Sequence, residues 1–220
     1  MTRRRHTFPA AMRALATFVL LGAVALASVA LVLHLTGASE PCDTTLSFGK
    51  IFSKAFLPAL GAGVIEELVF RGLLLGLWLR ACSLWSAWIG SSLFFSCLHF
   101  LKPAAGLEIA DPAAWDSGFL ILGSMLGHFH NPTFFITEFA TLTLLGLILA
   151  YCRTCTHSLW LPIGLHIGLV LTLKFFSLTQ NLDPTSPLHP WLIGGDLKSG
   201  LLPLLGIGIC FFACVKMVKN

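Results

Sequence analysis

Charge is what this chain has least of. Only 11% of its 220 residues are Asp, Glu, Lys or Arg while 56% are hydrophobic, and soluble domains carry charge at about a quarter of positions. An ordinary soluble fold is excluded. Sustained period-2 alternation is also missing, which excludes a membrane barrel. The net charge of +4 comes from scattered basic residues with no stripe that could follow phosphates, so nucleic acid is not an expected partner. The seven cysteines are odd in number and dispersed, so they imply no disulfide framework. Cys152-Arg153-Thr154-Cys155 is a lone C-x-x-C without the second motif a metal or redox centre needs. There is no H-E-x-x-H, no internal repeat and no linker that would divide the chain. What remains are recurring apolar runs of helix-spanning length, the mark of an all-α, polytopic integral membrane protein.

Taken in order, Arg3, Arg4, Arg5 and Arg13 precede the apolar run Ala14–Leu35. Gly37-Ala38-Ser39 has the small residues of a signal-peptide cleavage site, but the run exceeds the usual h-region of about 7–15 residues. It reads as an uncleaved first span. A polar link, Glu40 to Lys54, leads to a second helix near Phe56 that ends at Arg80, and a third span covers Trp85 to Leu101. The stretch Ala104–Pro132, with Asp111, Asp116, His128 and His130, holds an apolar core too short to cross and predicts a re-entrant or interfacial helix. Phe134–Tyr151 makes a fourth span. A fifth opens at His157-Ser158-Leu159-Trp160-Leu161-Pro162, with Ser158 as its expected N-cap and a proline in the first turn. A turn-rich loop, Asn181–Gly200, precedes a last span at Leu201–Val215. About six spans with both termini cytoplasmic, in the cell membrane, satisfy the positive-inside rule. Residues 1–54 read as an anchor span and link, and residues 55–220 as the core of a single membrane domain.

Ionisable groups within a span are costly and usually face a bundle interior or a wet cavity. Glu66, Glu67 and Arg71 fall together in the apolar run Ala55–Leu79. At about 100° per residue, Glu67 and Arg71 share a face and can form an acid-first ion pair. Glu66 lies about 140° from Arg71 and is left without it, which suits it to act as a general base. Further polar positions recur in later spans: His99, one turn after Phe95, and His166. Two Glu and two His could also ligate zinc, but adjacent glutamates diverging by about 100° are poorly placed for that, and neither a metal nor another cofactor is expected. Glu138, His128 and His130 are supplementary candidates. Ser96 and Cys97 lie off the His99 face and read as packing.

Glu66-Glu67-x-x-x-Arg71, then Phe95-x-x-x-His99, then an Arg-Thr-x-x-Ser-Leu-Trp segment from Arg153 to Trp160 leading to His166, resembles the CAAX protease and bacteriocin-processing (CPBP, Abi) family of glutamic intramembrane proteases. The resemblance covers about residues 55–215. It implies an endopeptidase in which Glu66 and His99 activate water, His166 helps hold the oxyanion, Glu67 and Arg71 support the site, and Phe95 shapes it. The implied partners are the lipid bilayer and a membrane-anchored peptide or protein substrate. Four residues after the later histidine the family commonly has asparagine, and this chain has Val170. Thr172 and Asn181 are the polar residues that could substitute for it. The departure motivates an alternative from another class: a weak or inactive scaffold of the same fold, serving as an immunity or peptide-binding factor.

Overall fold

The computed structural model describes residues 8–42, 45–101, 107, 109, 111–126, 132–189 and 191–219. Helix α1 spans Phe8–Leu35 and α2 is continuous helix over residues 48–81. Then come α3 (Leu84–Phe100), α4 (Ser117–Leu126), α5 (Pro132–Thr156), α6 (Trp160–Thr179) and α7 (Leu201–Lys219). Among the described residues, four stretches are long and apolar enough to cross a membrane: Phe8–Leu35, Ile136–Thr156, Trp160–Thr179 and Leu201–Val218. The expected count was six. The 17 residues of α3 measure about 25 Å, short of a hydrocarbon core of about 30 Å. In α2, three π-helical stretches break the α-helix: Phe52–Phe56, Ala62–Glu66 and Leu68–Leu74. The ten residues of α4 reach about 15 Å, half a bilayer, in the segment where a short helix was expected. Arg3, Arg4, Arg5, Lys102, His128 and His130 lie outside the described residues.

One local expectation is corrected. Helix α6, the expected fifth span, has Leu159, not Ser158, as its N-cap, and Ser158 Oγ instead accepts from the Trp160 N–H at 3.3 Å. The fold is helical as expected, and adds one short two-stranded antiparallel ladder, β1 (Ser39–Pro41) against β2 (Gln180–Leu182), in register Ser39 to Leu182. This ladder ties the end of α1 to the end of α6. It begins just after a helix stop: Gly37 takes φ +71°, its N–H bonds His34 O at 3.1 Å, and Ala38 N–H bonds Leu33 O at 2.9 Å. That is the Schellman arrangement, in which glycine adopts the left-handed conformation without a Cβ penalty. Ala38 and Ser39, the small residues of the apparent cleavage site, are buried there.

Helix α6 is the spine. Every residue from Leu161 to Leu169 is buried, as expected of a helix covered on all sides. On one side it meets α1 through glycines: a Cβ on Gly164 would lie 2.5 Å from Leu15 O, one on Gly168 2.1 Å from Val19 O, and one on Gly22 2.4 Å from Leu165 O. Gly164 and Gly168 are four apart, the small-xxx-small spacing that lets membrane helices touch backbone to backbone. On another side Gly63 of α2 brings its backbone against Ile167 and Ile163 O. Phe18 and Leu26 of α1, Leu149 of α5, Leu165 of α6 and Ile207 of α7 close the central core. The loop before α7 is held to α5 by polar contacts: Lys198 pairs with Glu138 and, at 3.3 Å, with Asp196, and Gly200 N–H donates to Thr137 Oγ1 at 3.0 Å. Burial alone would depress the Lys198 ammonium, but Asp196 and Glu138 together hold it above the ordinary lysine range.

These contacts make glycine substitutions diagnostic. Gly168→Val drives a side chain into the Val19 carbonyl and should lower the melting temperature of the detergent-solubilised chain by roughly 5 °C or more. Gly208→Ala, in α7 with nothing within 4 Å of its Cβ position, should be neutral or stabilising by up to about 1 kcal/mol.

Candidate active site

The three polar spots of the sequence meet in space. Glu67, fully buried, accepts two hydrogen bonds on one oxygen: from Arg71 Nη1 at 3.1 Å and from His166 Nδ1 at 2.8 Å. The i to i+4 pairing of Glu67 with Arg71 is the one helix spacing predicts. Arg71 is itself 3% exposed. Its second guanidinium nitrogen donates to Gly146 O of α5 at 3.4 Å, and its Cζ lies 4.4 Å from the centroid of the Phe95 ring, a cation–π distance. Phe95 has no exposed surface and sets its ring edge-on to Phe70 at 5.1 Å and to His166 at 6.1 Å, and tilted against His99 at 4.4 Å. It packs and shapes the site.

Glu66 sits beside this cluster and is about a third exposed. Its Oε2 lies 3.9 Å from His99 Nε2 and 3.9 Å from His166 Nε2, and the buried oxygen has no hydrogen-bond partner among the described residues. The two imidazoles are oriented by their other nitrogens. His99 Nδ1 lies 2.9 Å from Phe95 O, which can only accept, so that nitrogen carries the proton. His166 Nδ1 likewise faces the Glu67 carboxylate. In each neutral ring the basic lone pair is therefore Nε2, and both lone pairs face Glu66. A buried acceptor without a donor asks for an explanation, and here Glu66 Oε2 is that acceptor.

Helical geometry at 100° per residue did not anticipate one feature. Adjacent glutamates were expected to diverge, yet Glu66 and Glu67 both reach His166, one at each ring nitrogen. The reason is local: the π-helical stretches Ala62–Glu66 and Leu68–Leu74 flank Glu67, and their wider i to i+5 turns narrow the angle between neighbours. Such bulges concentrate at functional sites.

Other candidates fall elsewhere. Glu138 is engaged by Lys198. The Thr172 hydroxyl donates to Ala23 O of α1 at 3.4 Å, and the Asn181 backbone pairs with Glu40 in the β ladder. Ser96 bonds Ser92 O and Thr143, as packing. Sequence reasoning missed Gly146 O, whose contact across 75 residues leaves no local signal.

Removing Arg71 strands a buried carboxylate. Arg71→Leu should cost about 3–5 kcal/mol of stability, read as a lowered melting temperature. Adding Glu67→Leu should recover only part of that, because His166 Nδ1 then loses its acceptor.

The comparisons follow this geometry. No curated protein and no solved structure matches the chain significantly. A family model, described as type II CAAX prenyl endopeptidase Rce1-like, matches residues 48–172. That is more than half of the 220 residues, and it takes in Glu66, Glu67, Arg71, Phe95, His99 and His166. By that match, the protein belongs to the Rce1-like family of type II CAAX prenyl endopeptidases.

Proposed function

We propose that this protein is an intramembrane endopeptidase of the CAAX type, which hydrolyses a peptide bond of a membrane-associated protein or peptide with a water activated by Glu66 and His99. The observation that carries the reading is that His99 Nε2 and His166 Nε2 both lie 3.9 Å from a buried Glu66 oxygen that has no hydrogen-bond partner among the described residues. Gaps of 3.9 Å are too wide for direct hydrogen bonds and suit one bridging water. In the proposed reaction that water gives a proton to Glu66 as its oxygen attacks the scissile carbonyl. His99 fixes the water's lone pair toward the substrate by accepting its second hydrogen. Glu66 then returns the proton to the leaving amine.

His166 has the part of oxyanion support: held by Glu67 at Nδ1, it donates from Nε2 to the developing charge in its doubly protonated, imidazolium form. Arg71 and Phe95 position the pair rather than touch substrate. We read α2 and α3 as two further crossings, giving six spans with both termini cytoplasmic. A second reading, a scaffold of this fold that binds peptide without cutting it, rests on Val170, which is half-buried one turn beyond His166 and supplies no hydrogen-bond donor.

Cleavage of membrane-anchored peptide reporters separates the two. Glu66→Gln and His99→Ala should each reduce the rate by about a hundredfold or more without loss of folded protein, and a chelator should leave the wild type unchanged. Val170→Asn should raise the rate by adding a donor beside His166. Cleavage that survives Glu66→Gln would refute the proposal, and chelator sensitivity would reassign the cluster to a metal.

A further inference from the structure

A cavity of about 360 Å³ opens where α2 gives way to α3 and is lined by Arg71, Leu79, Leu84, Trp88, Arg153 and His157, with Gly76 and Thr154–Cys155 completing the wall. Its polar character is one-sided. Two lining residues carry buried donors with no partner among the described residues, Trp88 Nε1 and Arg153 Nε. Among the described residues no carboxylate lines it. Among the described residues the only acid paired with a lining cation is Glu67, which holds Arg71. Arg153 forms no ion pair among the described residues.

The surroundings extend the asymmetry. This end of the bundle gathers Arg13 near the start of α1, Arg80 in the last turn of α2, Arg153 in the last turn of α5 and Lys216 in the last turns of α7. Of the chain's ten acidic residues, Glu66 and Glu67 belong to the site. The others, by sequence, fall at residues 40–43, 108–116, 138 and 183–196, in or beside the segments joining the helices at the other end. Two of the lining residues, Leu79 and Leu84, are exposed apolar side chains.

We infer that this cavity binds the headgroup of an anionic phospholipid. The phosphate accepts from Arg153 Nε and Trp88 Nε1, with His157 at the rim, and the acyl chains lie over Leu79 and Leu84. Buried donors without acceptors are costly. A phosphate supplies several acceptors at once, and the anionic leaflet of a membrane is attracted to clustered Lys and Arg at the ends of spans. Arg71 forms the inner wall of the cavity and also binds Glu67, so the lipid charge is one residue removed from the glutamate–histidine cluster. The inference does not depend on Glu66 being catalytic.

The test is native mass spectrometry of the full chain after incubation with phosphatidylglycerol or phosphatidylcholine in detergent, with thermal melts confirming that each variant is folded. The wild type should retain one phosphatidylglycerol in preference to phosphatidylcholine. Arg153→Gln and Trp88→Phe should each weaken retention by about tenfold or more, with Arg153→Lys recovering part of it. Arg80→Gln, at the same end but outside the cavity, should leave retention intact. Equal retention of the two lipids, retention unaffected by Arg153→Gln and Trp88→Phe, or equal loss in Arg80→Gln would overturn the assignment. So would displacement of phosphatidylglycerol by a short peptide with a free C-terminal carboxylate but not by its amide, which would assign the cavity to a peptide terminus.

Discussion

The fold of the site depends on one buried oxygen. Glu67 Oε1 accepts from Arg71 and from His166 at once, joining α2 to α6, while the same arginine reaches Gly146 O of α5. Away from water each of these charges would be expensive alone. Together they offset one another and fix the tautomer of His166, although Glu67 Oε2 keeps no hydrogen-bond partner among the described residues. Arg71 also lies over Phe95, whose backbone carbonyl fixes His99. One arginine thus connects the elements that aim both imidazoles at Glu66. In the proposed mechanism two neighbouring glutamates divide the work: Glu67 organises the site, and Glu66 faces the water.

The helices can come this close because glycine is placed where they cross. Gly164 and Gly168 bracket His166 in sequence, and both lie against the backbone of α1. The face of α6 that carries His166 is therefore set by a contact with the first span, a segment that precedes the family match at residues 48–172. On the other side Gly63 brings α2 against Ile167, within a π-helical turn that ends at Glu66. Close approach and a widened turn jointly put two adjacent carboxylates on either side of one imidazole.

Much of this was legible in the sequence, because it rests on local spacing. The four-residue step from Glu67 to Arg71 predicts their ion pair, and the shortage of charge predicts a helical membrane protein. The ordered motifs around Glu66, His99 and His166 led to the family that the comparison then showed. What escaped was non-local or irregular. The β ladder pairs residue 39 with residue 182, and three-residue strands have no pattern to find. Glu138 meets its lysine sixty residues away. The π-helical turns change the angle on which every face assignment in α2 was based, so the shared hold on His166 could not follow from 100° steps. At Ser158 the cap moved by one residue, within the usual uncertainty of helix ends.

The division of labour between the two glutamates is the central claim, and paired melting and cleavage curves for Glu66→Gln and Glu67→Gln test it most directly. The account predicts a clean split: Glu66→Gln melts with the wild type but does not cleave, whereas Glu67→Gln melts roughly 5–10 °C lower because Arg71 and His166 lose their shared anion. Equal destabilisation in the two variants, or full cleavage by Glu66→Gln, would contradict it.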